Sequence, residues 1–225
     1  METITIKQPA GIGDIFYCLK IAFICTVKGY KVEWPVIKEF SYIKDYIKYP
    51  NLEFTDFFEG CYIDKKVINL QDANITLLEH RHDVMRAKYK LVEANADDWL
   101  DFFKFFRNKD REEILYNFLN PNNEEYILRS QNVGSPPNSL TKPISIETDL
   151  KIIDIDFLPE YNLFDWCKII ENASEIHMVD TSFMYIMERL DMKATSFKLY
   201  SRYTPANFSV VGHIPQNVKW QYMEW

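Results

Sequence analysis

The sequence is poor in glycine, in paired cysteines and in long hydrophobic runs, and each shortage excludes a class of protein. Only 6 of the 225 residues are glycine, too few for a collagen-like chain or a glycine-rich linker. The 4 cysteines include no C-x-x-C pair, and we expect them to be reduced. No apolar run is long enough to cross a bilayer and no secretory signal opens the chain, so we expect a soluble, cytoplasmic protein.

An excess of positive charge is also missing. The 26 basic residues are outnumbered by 33 acidic ones, so the net charge is -7 and the strongly basic surface of a nucleic-acid-binding domain is absent. Hydrophobic residues make up 47% and aromatic residues 16% of the chain, enough to build a substantial core and line a pocket. The abundance of isoleucine, lysine, asparagine and phenylalanine is typical of an AT-rich genome and favours a viral origin.

The first half of the chain alternates predicted strands and helices. The strands are expected at 3–6, 31–36, 51–58 and 66–70, and the helices at 14–28 and 39–48. Apolar side chains cover nearly all of the helix at 14–28, which we therefore expect to be largely buried. This alternation predicts a parallel sheet with crossover helices.

The second half repeats the same alternation after a Pro-Asn-Asn break at 121–123, which divides the chain into an N-terminal domain of 1–120 and a C-terminal domain of 121–225. The strands are expected at 125–129, 151–157, 175–179 and 196–202, and the helices at 162–173 and 181–190, whereas the mostly helical stretch at 83–119 precedes the break and belongs to the first half. Asn162 and Asp165 have the spacing of a capping box. The fold class expected is α/β, with two small Rossmann-like lobes whose parallel sheets face a cleft.

The first candidate site is the segment Gly11-Ile12-Gly13-Asp14, between the first strand and the first helix. Such a turn lies at the carboxyl edge of a parallel sheet, where ligands bind. Gly11 and Gly13 allow a close approach of backbone or ligand. Asp14 would repel phosphate but is suited to accept a proton from a hydroxyl group. In the alternative interpretation, Asp14 only caps a buried helix.

The second candidate site is Asp180-Thr181-Ser182, between the strand at 175–179 and the last predicted helix. Thr181 and Ser182 offer hydroxyl groups and backbone N–H groups at a helix N-terminus, an arrangement that suits a diphosphate. An ordinary N-cap is the alternative. Two such junctions, one in each half, favour a ligand bound between the halves.

Together these segments resemble the two ends of a GT-B glycosyltransferase of the heptosyltransferase-like group. In that group a strand and a GxGD-type loop open the chain, and a strand ending in Asp-Ser/Thr-Ser precedes a late helix. Here GIGDIFYCLKIA matches the first signature and IHMVDTSFMYIMERL the second. The resemblance covers a short stretch at each place. At 225 residues the chain is shorter than typical members, so each lobe must be minimal.

The resemblance implies transfer of a sugar from a nucleotide-diphosphate donor to a hydroxyl acceptor, either a glycan or a modified nucleic-acid base, with no cofactor. On the acceptor side, Asp14 would be the general base. Gly11 and Gly13 would form the turn that the acceptor approaches.

On the donor side, the resemblance implies that Thr181 and Ser182 hold the diphosphate and that Asp180 orders their loop. Arg129 and Arg202 each lie at the end of a predicted strand and would neutralise charge on the leaving diphosphate. Solvation at the surface is the alternative for both arginines.

Other signals favour different functions. Asp154-Ile155-Asp156 is a DxD string, which in GT-A glycosyltransferases binds Mn²⁺ or Mg²⁺ and the donor, and a strand would place both carboxylates on one face. His80 and His82 lie two residues apart, but a zinc site would need further ligands. A non-catalytic nucleotide- or sugar-binding module, or an interaction protein with an aromatic interface, also remains open.

Two further clusters have a structural interpretation. The aromatic residues between 99 and 106 have mostly core spacing, with sugar stacking as the alternative. The basic residues Arg86, Lys88 and Lys90, and those at 107–111, lie close to acidic residues, a pattern that favours solvated helix faces.

Overall fold

The structure is a computed structural model that describes residues 1–73, 84–133, 140–201 and 216–223. Contacts divide the chain into two compact units, unit 1 (Met1–Phe106) and unit 2 (Arg107–Trp225). Each unit is built on a parallel sheet with helices, which confirms the predicted α/β class with two Rossmann-like lobes. All four cysteines are buried and free. Within the ranges described, no helix has the length and hydropathy to cross a membrane.

The sheet of unit 1 has four parallel strands in the order β3-β2-β1-β4. They are β1 (Thr3–Lys7), β2 (Lys31–Val36), β3 (Leu52–Asp56) and β4 (Lys66–Asn69). In the central strand, Ile4 pairs with Val32 on one side and Ile6 with Ile68 on the other. The strand order reverses between β1 and β4, and this switch point is where open α/β sheets bind ligands.

The helices of unit 1 that lie in the described ranges are shorter than the sequence predicts. They are α1 (Ile12–Tyr17), α2 (Leu19–Val27), α3 (Ile43–Tyr46), α4 (Val84–Lys90) and α5 (Trp99–Phe102), with a 3-10 turn at Lys38–Phe40. The single helix expected at 14–28 begins earlier and is interrupted at Cys18, where ψ is 7°. The segment around Cys18 contains no proline or glycine, so no local residue predicts the interruption of the helix.

An aromatic cluster forms part of the core of unit 1. The rings of Phe16 and Phe103 stack at 4.6 Å, and Trp99 lies against Phe103 at 6.2 Å. Trp99 and Phe103 are buried, as the core spacing predicts, whereas Phe106 is 61% exposed.

The main sheet of unit 2 has five parallel strands in the order β11-β10-β9-β5-β8. The strands of this unit are β5 (Tyr126–Ser130), β6 (Asn132–Val133), β7 (Leu140–Thr141), β8 (Lys151–Asp154), β9 (Glu175–Val179), β10 (Ser196–Tyr200) and β11 (Gln221–Met223). Strands β6 and β7 form a separate antiparallel ribbon. The order reverses between β5 and β9, so the second switch point lies at the carboxyl ends of those two strands.

Three helices of unit 2 are described: α6 (Lys109–Leu119), α7 (Cys167–Asn172) and α8 (Phe183–Met187). A 3-10 turn at Leu163–Trp166 leads into α7. The predicted capping box is confirmed: the Asn162 side chain accepts from the Phe164 N–H, and Asp165 Oδ2 accepts from the Asn162 N–H at 2.8 Å. A local sequence pattern was sufficient to predict the capping box because all of its hydrogen-bond partners lie within four residues.

Ion pairs anchor helix α6 in unit 2. Arg107 pairs with Glu112 and Glu171, and Arg111 pairs with Asp165. The expectation of a solvated face is therefore wrong for Arg107, whose side chain is 19% exposed beside the buried Glu112. The sequence places the domain boundary after residue 120, whereas contacts group this helix with the strands that follow it.

Candidate functional site

The loop from β1 to α1 leaves the switch point of the first sheet. Its Gly11 is the N-cap of α1, with φ of 80° and ψ of 78°, a left-handed conformation that glycine adopts without strain. The Gly11 carbonyl accepts from the Ile15 N–H at 3.1 Å. Gly13 and Asp14 both lie inside α1. Asp14 is therefore not the N-cap, but it lies in the first turn of α1, where a carboxylate stabilises the helix dipole.

The Asp14 carboxylate forms an ion pair with Lys88 of α4, through Lys88 Nζ and Asp14 Oδ1. Lys88 Nζ also donates to Gln8 Oε1 at 2.9 Å. The Lys88 side chain is 1% exposed and that of Asp14 is 31% exposed, so the pair extends from the interior to the surface. The expectation that Lys88 lies on a solvated helix face is wrong. A buried ammonium needs an anionic partner, and Asp14 supplies it.

Gln8 and Gly11 complete what we call the Asp14 cluster, which consists of Gln8, Gly11, Asp14 and Lys88. The Gln8 carbonyl accepts from Trp34 Nε1 at 3.1 Å, which fixes the chain just after β1. A Cβ atom on Gly11 would lie 2.5 Å from Asp14 Oδ2 and 3.4 Å from Gln8 Nε2. Within the described ranges, Oδ2 of Asp14 accepts no hydrogen bond. The cluster therefore holds one carboxylate oxygen and leaves the other available to a hydroxyl group.

Gly11→Ala is expected to lower the free energy of unfolding by about 2 kcal/mol, because a side chain at positive φ is strained and its Cβ displaces the Asp14 carboxylate. Gly29→Ala is the matched control, since Gly29 has a φ of +87° but nothing within 4 Å of its Cβ position. We expect Gly29→Ala to cost only the backbone strain, about 1 kcal/mol. Thermal denaturation of both variants measures the difference, and equal losses would contradict the close approach at Gly11.

The junction after β9 is the corresponding region of unit 2. Asp180 is buried and its N–H donates to the Tyr200 carbonyl at 3.1 Å. The carbonyls of Thr181 and Ser182 accept from Met184 and Tyr185, both at 3.2 Å, and start the turn into α8. Helix α8 has only 5 residues. The polar groups of the junction, rather than a long helix dipole, are therefore the features that could bind an anion.

Thr181 has a buried hydroxyl without a hydrogen-bond partner among the residues described. Its Oγ1 lies at the carboxyl end of β9, beside the second switch point. A buried hydroxyl without a partner carries a desolvation cost that a hydrogen bond to a ligand would remove.

Arg129 connects neighbouring strands. Its Nε and Nη2 donate to the two oxygens of Asp154 at 2.7 and 2.9 Å, and Nη1 donates to the Ile144 carbonyl at 2.8 Å. A guanidinium has five N–H donors, so part of its capacity remains for a ligand. Arg202, the second arginine that the resemblance implies, lies outside the described residues.

The two carboxylates of the DxD string lie at the end of β8. The strand ends at Asp154, one residue pair earlier than the sequence predicts for the string, and both Asp154 and Asp156 are exposed. Asp156 Oδ1 accepts from the Phe157 N–H at 2.7 Å. No group of three or more histidine, cysteine or acidic side chains suited to a metal ion occurs in the described part of the chain. The histidine pair at 80 and 82 lies outside that part.

His177 is a buried residue on β9, and each of its two ring nitrogens lies close to another polar side chain. Its Nδ1 lies 3.2 Å from the Tyr200 hydroxyl and its Nε2 lies 3.0 Å from Glu175 Oε1. Lys198 also pairs with Glu175, at 2.6 Å. Burial lowers the pKa of His177, and the neighbouring Glu175 only partly opposes that shift. Burial therefore favours the neutral form of the imidazole.

Comparisons with known proteins bear on the fold. No protein-family model matches the sequence, and no curated protein matches it. A glycosyl transferase of family 9 from Veillonella parvula shares the fold with a TM-score of 0.58 at 9% identity, over 99% of this chain and 87% of that one. TibC, an iron-containing dodecameric glycosyltransferase from enterotoxigenic E. coli, has a TM-score of 0.50 at 10% identity, over 91% of this chain and 61% of that one. At such identities the likeness shows a common α/β fold with two Rossmann-like units.

Proposed function

We propose that this protein is a glycosyltransferase that moves a sugar from a nucleotide-diphosphate donor to a hydroxyl acceptor. The observation that carries the proposal is the carboxylate of Asp14, which lies at the switch point of the first sheet with one oxygen held by a buried ammonium. The fold shared with glycosyltransferases supports the same reaction class.

In this proposal Asp14 is the general base. Its Oδ2 takes the proton of the acceptor hydroxyl while the hydroxyl oxygen bonds to the anomeric carbon of the donor sugar. The bond between that carbon and the diphosphate breaks, and its electron pair leaves with the nucleoside diphosphate. Gly11 contributes by leaving space beside Oδ2, which a Cβ atom would fill.

Thr181 and Ser182 hold the donor diphosphate in this proposal, and Asp180 orders their loop through its backbone bond to Tyr200. The buried hydroxyl of Thr181, which lacks a partner in the described residues, supports this assignment. We assign the neutralisation of charge on the leaving diphosphate to Arg129 and Arg202 rather than to a metal ion. Arg129 has N–H groups beyond those that bind Asp154 and the Ile144 carbonyl.

Thermal denaturation in the presence of nucleoside diphosphates and their sugars tests the proposal. A donor at a hundred times its dissociation constant is expected to add about 2.7 kcal/mol to the free energy of unfolding. For a chain of this size that corresponds to a rise of several degrees in Tm. The matching nucleosides without phosphate are the control, because the proposed contacts are with the diphosphate.

The outcomes separate the candidate functions. A flat response across all nucleotide sugars contradicts the proposal. Stabilisation that requires Mn²⁺ would instead support the metal-dependent alternative at Asp154 and Asp156. Stabilisation without release of nucleoside diphosphate from any donor would support a non-catalytic binding module.

A further inference from the structure

We infer that Lys88 is a positioning residue, which fixes the Asp14 carboxylate so that Oδ2 alone receives the acceptor proton. The inference rests on the proposed function, in which Asp14 is the base. It adds a role for a residue that touches neither donor nor acceptor. Three features of the Asp14 cluster support it: the burial of Lys88, its hydrogen bonds and the space beside Gly11.

The first feature is the fixed position of the Lys88 ammonium. The side chain is 1% exposed, and its Nζ donates both to Asp14 Oδ1 and to Gln8 Oε1. Gln8 is itself buried, with its carbonyl bonded to the indole of Trp34. Because the partners of the ammonium are anchored to the core, the ammonium is a rigid reference point for the carboxylate.

The second feature is the difference between the two oxygens of Asp14. Oδ1 is engaged by Lys88, whereas Oδ2 lies where a Cβ on Gly11 would approach to 2.5 Å. The ion pair opposes rotation of the carboxylate about its Cβ–Cγ bond, and so holds its second oxygen in this position. The reactive oxygen is therefore oriented before the acceptor arrives, which is the geometric requirement for efficient proton transfer.

The third feature is the cost of a buried lysine. An apolar side chain of similar volume usually stabilises a protein as well as a buried ion pair does, or better. Stability alone therefore gives no reason for a lysine at this position. In the proposed reaction the acceptor proton moves to Oδ2 of Asp14, and the Lys88 ammonium keeps all of its protons.

Lys88→Met tests the inference, because methionine preserves most of the packing and removes the charge. The readout is the rate of nucleoside diphosphate release from the donor that stabilises the wild-type protein most. We expect kcat to fall at least about tenfold per folded molecule while KM for the donor stays within about twofold. Lys20→Met is the matched control, since Lys20 is 11% exposed and pairs with Asp98; we expect both constants to be unchanged.

Two kinetic outcomes would overturn the inference: a kcat of Lys88→Met within twofold of the wild type, or a loss confined to KM. A second measurement does not depend on activity or on the folding of Lys88→Met. The ammonium of Lys88 is buried and bonded, so the wild-type protein labelled with ¹⁵N-lysine should show a slowly exchanging NH₃⁺ resonance that shifts or vanishes in Asp14→Asn. A resonance unaffected by Asp14→Asn would overturn the inference. Absence of diphosphate release by the wild type, with that resonance behaving as expected, would contradict only the proposed function.

Discussion

Asp14→Asn is expected to lower the free energy of unfolding of unit 1 by about 3 kcal/mol. The substitution leaves the Lys88 ammonium buried, with Gln8 Oε1 and a neutral amide as its neighbours. Loss of one partner of a buried ion pair costs about 3–5 kcal/mol. We expect the lower end of that range because Asp14 is 31% exposed, so water can approach the pair from its side.

The energetic coupling between Asp14 and Lys88 tests the ion pair more directly than the stability of either single variant does. Lys88→Met removes the buried charge and leaves a carboxylate that solvent reaches, so its own effect on the free energy of unfolding should be close to zero. The double variant has neither charge and should be about as stable as Lys88→Met alone. Scanning calorimetry of the four proteins therefore gives a coupling energy of about 3 kcal/mol. If the stability losses of the two single variants add up to the loss of the double variant within about 0.5 kcal/mol, the ion pair is contradicted.

Activity is expected to follow a different pattern from stability. If Asp14 is the base, Asp14→Asn reduces the rate of sugar transfer by about 10²–10⁴-fold. The double variant regains stability but not activity, because the base is still absent. A double variant that regained activity along with stability would show that Asp14 serves the fold alone.

Most of the fold was predictable because its signals are local. The alternation of strands and helices and the capping box at Asn162 each depend on residues close together in the sequence, and the alternation in turn predicts parallel sheets. The interruption at Cys18 was not predictable, since an uninterrupted apolar run favours one continuous helix. The early end of β8 at Asp154 was also missed, although Pro159 follows closely.

The candidate site was only half predictable, for a physical reason. The glycines of the loop and Asp14 stand next to one another, so their pattern marks a strand-to-helix turn. Lys88 lies 74 residues away from Asp14, on a helix whose neighbouring charges are typical of a solvated face. Its burial results from the packing of α4 against the loop, which no local pattern encodes. Gln8 directly follows β1. Its position at the carboxyl end of a central strand was the one feature of the sequence that could have indicated a place in the site.

The contacts of Arg129 in unit 2 were also not predictable, because its partner is distant in the sequence. The sequence offered it as a cation for a diphosphate, but the register of β5 and β8 places it opposite Asp154, and the two side chains form a two-point ion pair. Strand neighbours that lie 25 residues apart in the chain become partners only once the strand order is known. A proposed donor contact by Arg129 must therefore use the N–H groups that this pair leaves over.

Thr181→Val is expected to weaken donor binding without weakening the fold. Valine has the shape of threonine but lacks the hydroxyl, and the Thr181 hydroxyl has no partner in the described part of the protein. Removal of the hydroxyl should therefore leave the free energy of unfolding unchanged or slightly higher. If that hydroxyl donates to the diphosphate, a bond to a charged group is lost on binding, worth about 1.5–3 kcal/mol, or about 10- to 150-fold in affinity.

Thr5→Val is the matched control for this experiment. Thr5 lies on β1, is fully buried, and its Oγ1 also lacks a partner among the described residues. Both variants should have the same small effect on stability, but only Thr181→Val should reduce the affinity that calorimetric titration measures for the nucleoside diphosphate of the best donor. Affinities of the two variants within twofold of each other would remove Thr181 from the donor site. A selective loss at Thr181 would tie the buried hydroxyl to the ligand, because a purely structural cost of desolvation applies equally to both threonines.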